Sequence, residues 1–251
     1  MLLLLPPSEG KARPARGAPV DLPSLTHADV LTAPREAALG ALTSLCREEP
    51  DAAREALGLS AGQAGEVALD AALREAPAAP AAEVYTGVLF ERLGLTTLPP
   101  AARRRAEERV LVQSALWGVV RPGDRIPAYR LSIGARLPGL PALAAHWREP
   151  LRAALPGDGL VVDLRSGGYA AAWRPERARH LAVRAFTVQP DGTRRPISHM
   201  AKAARGEVAR ALLTSRAVPD DPKGVLRVVR RAGLDAELGD GTLDVLTRTV
   251  T

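Results

Sequence analysis

The sequence has few aromatic residues and a single cysteine, and both shortages limit what the chain can be. Phe, Trp and Tyr make up 3% of the 251 residues, so the core must be built from Leu, Val and Ala. Cys46 excludes an internal disulfide and cannot by itself make a Cys-rich zinc or iron–sulfur centre. A lone cysteine within a helical pattern favours a structural thiol over a redox sensor.

Long apolar segments are also missing. No window approaches the roughly 20 apolar residues that span a bilayer. The start, MLLLLPP, lacks the basic first region and the longer apolar core of a secretory signal. We therefore expect no membrane partner and a cytoplasmic location. Hydrophobic residues at 46% and charged residues at 25% are ordinary for a globular protein of one large domain or two small ones.

Lysine is scarce although the chain is basic. The net charge is +6, yet Lys11, Lys202 and Lys223 are the only lysines among 34 cationic residues. In a chain that uses arginine almost everywhere, a lysine is either chance or a site that needs a compact ammonium. Lys223 lies in a Pro-Lys-Gly turn, which is typical of an incidental surface residue. Lys11 and Lys202 are the candidates for a role.

The positive charge is unevenly distributed. Residues 103–136 hold eight arginines and three carboxylates, a net of +5, and residues 165–216 carry a net of +8. Two basic segments on an acidic remainder indicate a positive surface for a polyanion if the fold brings them together. The alternative is that these arginines pair with acids elsewhere in the chain.

Hydrophobic periodicity predicts a mixed α and β protein. Short apolar runs predict buried strands, and longer patterns in Ala-rich segments predict helices. The strands are expected at 1–5, 110–112, 160–164 and 181–188, with a closing hairpin within 234–247, and the helices at 34–47, 51–57, 61–75, 100–109, 142–154, 200–213 and 222–231. The loop after strand 160–164 lies where α/β folds place ligand groups.

The central stretch 111–134 ends a predicted strand, turns at Arg121–Asp124 and then continues with cations and a tyrosine. Proline and glycine in that tetrapeptide exclude a continuing helix. By itself this pattern fits an ordinary buried strand with solvated arginines as well as it fits a binding surface.

Residues 116–134, LWGVVRPGDRIPAYRLSIG, resemble the signature of the YaaA family of peroxide-stress proteins. Four more stretches match the same family in chain order: LLLPPSEGKA, VYTGV, LVVDLRSGGY and ISHMAKAARG. The resemblance implies a single α/β domain over 1–251, of unusual topology, with a positively charged cleft and a helix-hairpin-helix-like element that binds DNA. It also implies a cytosolic protein that protects against hydrogen peroxide by lowering free intracellular iron.

Carried over residue by residue, the resemblance predicts two sets of site residues. The expected DNA-binding set is Arg121, Arg125, Tyr129, Arg130, Lys202 and Arg205, and the expected cleft-lining set is Ser8, Lys11, Tyr85, Trp117, Ser166 and Tyr169. We expect phosphate-dominated, structure-selective binding of duplex or junction-like DNA, with Tyr129 or Trp117 stacking on an exposed base. No metal site and no cofactor are predicted.

The chain departs from the family pattern in three of its motifs. These departures are Glu9-Gly10 in the first loop, Arg165 and Gly168 after strand 160–164, and His199 and Met200 before Lys202. Gly168 replaces an acidic residue, so any chemistry that needs that acid is absent here.

Two other functions stay open at this point. The chain is an enzyme for a small phosphorylated or nucleotide-like substrate if Lys11, Lys202, Ser166 and Tyr169 serve as catalytic residues. A closed pocket, rather than an open groove, would favour that reading. Alternatively the motifs are chiefly structural, with Trp117, Tyr129 and Gly134 holding the core.

Overall fold

The computed structural model describes residues 1–155, 157–189, 193–196 and 199–248, and side chains are described for all of these except 178, 196, 199, 200 and 248. The strands are β1 Leu2–Leu5, β2 Ala79–Pro80, β3 Val110–Ser114, β4 Gly118–Val120, β5 Arg125–Ile126, β6 Val161–Asp163, β7 His180–Val188, β8 Arg194–Pro196, β9 Ala236–Gly239 and β10 Thr242–Arg248. The helices are α1 Ala28–Glu48, α2 Pro50–Ala56, α3 Gly65–Ala71, α4 Ala81–Val84, α5 Val88–Leu93, α6 Pro100–Arg109, α7 Leu143–His146, α8 Arg148–Ala154, α9 Gly167–Ala170, α10 His199–Thr214 and α11 Pro222–Arg231.

A mixed sheet forms the centre of the protein, as the sequence predicts for an α/β fold. Its strand order is β4-β3-β1-β6-β7-β10-β9, with β8 paired to the end of β7. The five inner strands β3, β1, β6, β7 and β10 run parallel, whereas β4, β8 and β9 pair antiparallel. β2 and β5 form a separate antiparallel pair.

The position of β1 determines where the loops meet. The chain leaves β1 and returns as β3 on one side of it, then returns as β6 on the other side. In open α/β sheets, a crevice forms outside the carboxyl ends of the strands where the order reverses in this way. The loops after β1 and β6 both emerge at that edge because the two strands are parallel.

The predicted strands are confirmed, but the predicted start of the first long helix is wrong. Proline is favoured in the first turn of a helix, so the sequence places the start at Pro34. The observed α1 begins at Ala28 and contains Pro34. The Pro34 carbonyl accepts a hydrogen bond from His146 Nε2 at 3.0 Å. The neighbouring Arg35 is fully buried and donates to the carbonyls of Trp117, Thr26 and Val119. These tertiary contacts hold the first turns of α1 against the propensity of proline to break a helix.

Trp117 packs in the core, as the structural reading of the motifs expects. Its side chain is fully buried and meets the Tyr129 ring edge-on, with 5.9 Å between ring centroids. Gly118 has a φ of +70°, and a Cβ there would come within 2.7 Å of the Trp147 ring. Gly134 differs, because a Cβ at that position would meet no atom within 4 Å. The expected core role therefore holds for Trp117 and is not supported by contacts at Gly134.

Arg165, a departure from the family pattern, is an internal residue and does not face a ligand. Its guanidinium is 0% exposed and forms an ion pair with Asp163 at 2.7 Å. It also donates to Gln113 Oε1 and to the Trp173 carbonyl. His180 Nε2 lies 3.0 Å from the same Asp163 carboxylate. Arg165 thus ties the end of β6 to β3 and to the segment after α9.

Two smaller features of the fold bear on the sequence-based expectations. Cys46 is buried on α1, and burial raises the pKa of its thiol to about 12, which fits a structural cysteine. Among the described helices, none combines the length and the apolar character that crossing a bilayer requires.

Candidate functional site

A cavity of about 420 Å³ lies at the carboxyl edge of the sheet, where β1 and β6 end. One wall is the loop after β1, residues 6–11, and another is residues 86–90 at the start of α5. Residues 130–132 and the loop after β6 close two further sides, and α10 covers the mouth with Lys202 and Arg205. We call this cavity the Lys11 pocket. Its volume lies in the range of about 300–1,000 Å³ typical of small-ligand sites.

The Lys11 pocket collects most of the residues that the sequence singles out. Those that line it are Ser8, Lys11, Arg130, Ser166, Tyr169, Lys202 and Arg205. They come from both basic segments and from the first loop, which are far apart in the chain. Of the three lysines, the two inside family-like motifs line the pocket and Lys223 does not. Sequence reasoning could name these residues but not their convergence.

Other predicted site residues lie elsewhere. Arg121 donates to the Glu107 carbonyl, and its backbone N–H donates to Asp124 at 2.9 Å. Arg125 donates to the Ala78 carbonyl at 2.6 Å. Neither arginine lines the pocket. The two hydrogen bonds hold the turn between them against α6 and against the residue that precedes β2. These two residues therefore serve the structure of the turn and are separate from the cation cluster.

Three of the four aromatic residues in the predicted sets are internal, whereas Tyr169 is half-buried and lines the pocket. Trp117, Tyr129 and Tyr85 are exposed by 0%, 4% and 2%, and none of them lines the pocket. The expectation that Trp117 or Tyr129 stacks on an exposed base is thus corrected, because neither ring presents a face to solvent. Their contribution is to form the wall behind Lys11.

The mouth of the pocket depends on close packing between α10 and α5. A Cβ added to Gly206 would clash with the Leu89 carbonyl oxygen and lie 2.8 Å from the Arg92 Cβ. Only glycine allows this approach, and the same approach brings Lys202 and Arg205, one turn and one residue earlier on α10, against the residues of α5 that line the pocket. The family motif that ends in Gly206 is thus a packing motif as well as a charged one. Its first residues, Ile197 and Ser198, lie outside the described residues.

Replacement of Gly206 by alanine is expected to destabilise the protein. Alanine improves the helix propensity by about 1 kcal/mol. Overpacking against backbone costs about 1–3 kcal/mol, occasionally more, and a backbone carbonyl has little freedom to give way. We expect Gly206→Ala to lower the free energy of unfolding by up to about 2 kcal/mol net in chemical denaturation. Gly65→Ala is the matched control, since a Cβ there meets no atom within 4 Å. Equal stability of the two variants would contradict the packing argument.

The charge of the pocket is strongly positive. Lys11, Arg130, Lys202 and Arg205 line it, and Glu9 is the carboxylate among the lining residues. None of the four cations forms an ion pair with any carboxylate in the described parts of the chain. Arg130 and Arg205 instead donate to the carbonyls of Glu9 and Val183. Uncompensated cations around a concave surface attract an anion.

Lys11 is the most deeply placed of these cations. Its Nζ donates to the Ser8 carbonyl at 2.8 Å and lies 4.1 Å from the centre of the Tyr129 ring. Burial, followed by the charge of Arg130, lowers the pKa of Lys11 to about 8. Its amine therefore loses its proton at a lower pH than an ordinary lysine amine does. The Tyr169 hydroxyl, also at the pocket, has its pKa raised by burial.

Asp70 lies near enough to Lys11 for the two charges to act on each other, and sequence reasoning missed it. Its side chain is fully buried, and Oδ1 accepts the Arg130 backbone N–H at 2.9 Å, whereas Oδ2 has no hydrogen-bond partner among the described residues. Burial raises the pKa of Asp70 to about 7, against the opposing effects of the Arg130 backbone and of Lys11. The sequence pattern that could have identified Asp70 is its spacing, three residues after Val67 and three before Leu73. This spacing places an acidic residue on the apolar face of a helix.

Three buried hydroxyl groups form a chain behind Lys11. Ser114 Oγ accepts the backbone N–H groups of Leu116 and Trp117, so its own O–H is left to donate to Tyr129, 2.7 Å away. The Tyr129 hydroxyl is also hydrogen-bonded to the Tyr85 hydroxyl, 3.1 Å away. These hydrogen bonds hold the two rings that lie beside Lys11.

Metal ligands do not cluster in the described parts of the chain: no three His, Cys, Asp or Glu side chains come together there in a way that would hold an ion. The chemistry that the Lys11 pocket offers is recognition of an anion by four cations, with an amine that is partly neutral at its inner end.

Comparison with known proteins finds a family model and several relatives that match most or all of this chain. A family model described as "Peroxide stress protein YaaA" matches residues 1–233. A UPF0246 protein of Streptomyces coelicolor is 50% identical over 242 residues, which cover 94% of this chain and 92% of that protein. A UPF0246 protein of Corynebacterium efficiens is 42% identical over 255 residues, covering all of both chains.

Proposed function

The chain belongs to the YaaA family of peroxide stress proteins, and on that premise we propose that it acts in the peroxide stress response by binding DNA through phosphate contacts at the Lys11 pocket. One observation carries the proposal: four cations from three separate segments meet around one cavity without an ion pair between them and any described carboxylate. Phosphate is the anion that lysine and arginine side chains bind in nucleic acids.

The arrangement favours contacts to the backbone over contacts to bases. The rings of Trp117 and Tyr129 are in the core, so base stacking by these two residues drops out of the proposal. The cavity admits a single nucleotide-sized group, whereas Lys202 is exposed at its mouth. This combination supports binding at a DNA end, junction or displaced nucleotide, and it supports little discrimination between sequences.

The test is fluorescence-anisotropy binding to duplex, single-stranded and junction DNA over a salt series. We expect Lys202→Ala/Arg205→Ala to weaken binding by at least about tenfold and to reduce the slope of log K against log salt by about two. Arg121→Ala/Arg125→Ala removes the same charge away from the pocket and serves as the matched control. It is expected to bind within about threefold of wild type.

Thermal unfolding of each variant separates loss of binding from loss of folding. If both double variants lose DNA affinity equally, the DNA interface does not lie at the Lys11 pocket. Absence of binding in the wild-type protein at low salt would rule out the proposal itself.

A second candidate function is an enzyme for a small phosphorylated or nucleotide-like substrate. It is favoured by the volume of the Lys11 pocket, which suits a small ligand, and by the lowered pKa of the Lys11 amine. A thermal-shift screen with nucleotides tests it. Stabilisation of the wild-type protein that Lys11→Ala abolishes and Lys223→Ala retains would support this function, and no shift with any nucleotide would count against it.

Two finer implications of the family resemblance stay predictions. One is the helix-hairpin-helix-like element. It is tested by measuring the DNA affinity of variants with substitutions in α4–α5 or in α10–α11. The other is the lowering of free intracellular iron, which is checked by measuring chelatable iron in peroxide-treated cells with and without this protein.

A further inference from the structure

Lys11 differs from the other three cations of the pocket in what surrounds it. Its Nζ makes one hydrogen bond, to the Ser8 carbonyl, and rests on the Tyr129 ring. It forms no ion pair with any described carboxylate. The other cations provide charge at the mouth and the sides, where a phosphate is held. The Lys11 amine is therefore placed to contact the organic group that is attached to a bound phosphate.

The groups around Lys11 keep this amine reactive. The charged and titratable groups that act on it are Arg130, Asp70, Glu66 and Glu9. Arg130 and burial favour the neutral form, and the three carboxylates oppose them. The net pKa of about 8 makes the neutral amine more abundant near neutral pH than it is for an ordinary lysine. A neutral lysine amine is a nucleophile for carbonyl carbon.

From this geometry we infer that Lys11 forms an imine with an aldehyde carried by a sugar phosphate that is bound in the pocket. The inference rests on the proposed function, since the phosphate is held by the cations that hold DNA phosphates. Two sources share this chemistry: the opened sugar of an abasic site in DNA, and a free pentose 5-phosphate.

The reaction balances without an outside oxidant or reductant. The lone pair of Nζ attacks the aldehyde carbon, a C–N bond forms, and the carbonyl oxygen takes a proton that the nitrogen releases. Loss of that oxygen as water then gives the C=N bond. One amine and one aldehyde become one imine and one water. Asp70 is buried, its Oδ2 has no hydrogen-bond partner among the described residues, and its charge acts on Lys11.

The experiment traps the imine with borohydride and locates it by peptide mass mapping. Wild-type protein is incubated with duplex DNA that contains an abasic site, with ribose 5-phosphate, and with the same duplex carrying a tetrahydrofuran analogue, which has no aldehyde. The chain has three lysines, so Lys11, Lys202, Lys223 and the Met1 amine are the positions to distinguish.

We expect a reduced adduct at Lys11 with an aldehyde source and none with the tetrahydrofuran duplex. Lys11→Arg, which keeps the charge, is expected to give at least about tenfold less adduct than wild type. Lys223→Arg is expected to give as much adduct as wild type. The yield in wild type is expected to reach half its maximum near pH 8, whereas an ordinary lysine amine would still be gaining at that pH.

The outcomes separate this inference from the proposed function. No adduct from either source, while the tetrahydrofuran duplex still binds in anisotropy, overturns the inference and leaves DNA binding intact. An adduct mapped to Lys202 or Met1 in the wild-type protein also overturns it. An adduct at Lys11 with ribose 5-phosphate, in a protein that binds no DNA, supports the inference and rejects DNA as the source.

Discussion

Replacement of Asp163 by alanine is expected to lower the free energy of unfolding by about 3–5 kcal/mol, because it leaves a buried guanidinium without its counter-charge. Arg165 is 0% exposed, and Asp163 accepts from its Nε, its Nη2 and its backbone N–H. These contacts, with the His180 bond, hold the pKa of Asp163 well below its usual range although burial alone would raise it. Chemical denaturation at neutral pH measures the loss.

A double variant tests the cause of that loss. In Asp163→Ala/Arg165→Met the unpaired charge is gone, so we expect the double variant to recover at least about 1 kcal/mol relative to Asp163→Ala. A single variant that loses less than about 1 kcal/mol, or a double variant that is less stable than the single one, would contradict the account. Because the pKa of Asp163 is depressed, the stabilisation that it provides is present above its unfolded pKa of 3.8 and is lost below it.

Replacement of Asp70 by asparagine is expected to have the opposite effect and to stabilise the protein. Asparagine keeps an oxygen for the Arg130 backbone N–H and has no charge to bury. The pKa of Asp70 is raised from 3.8 to about 7, so the unfolded state loses its proton at lower pH than the folded state does. Wild-type stability from this group therefore falls as the pH rises from about 4 to about 7.

The gain in Asp70→Asn follows the same pH window. We expect no difference from wild type near pH 4 and an increase in the free energy of unfolding of about 1–4 kcal/mol above pH 7. The stabilisation expected from the pKa shift of Asp70 alone is reduced, because Lys11 loses a nearby opposite charge in this variant. Asp51→Asn on the exposed face of α2 is the matched control and is expected to change stability by less than about 0.5 kcal/mol. A gain that does not depend on pH would contradict the assignment.

Several elements could be predicted because their patterns are local. The apolar runs of β1, β3, β6 and β7 are strands, as expected, and the Gly-Asp-Gly turn before β10 joins an antiparallel pair. Lysine scarcity directed attention to Lys11 and Lys202, and both line the pocket. The start of α1 could not be predicted, because bonds from distant segments to Pro34 and its neighbour hold the helix there.

Site residues that act through burial were the hardest to foresee. Asp70 and Arg165 are charged side chains, and charge in a sequence normally indicates exposure to solvent. In the same way, Arg121 and Arg125 belong to the motif that carries the family resemblance, yet their guanidinium groups bond backbone carbonyls in a turn. A motif shows which residues matter together but does not separate those that bind from those that hold the binding residues in place.

The sequence by itself determined the family, the mixed α and β character, the candidate strands and the residue types available for an anion site. Only the tertiary structure decided that Lys11, Arg130, Lys202 and Arg205 share one cavity, and that Trp117 and Tyr129 lie behind it. The physical reason is that secondary structure follows from side-chain periodicity along the chain, whereas burial, pKa and convergence depend on strand order and on close approaches such as that of Gly206 to α5.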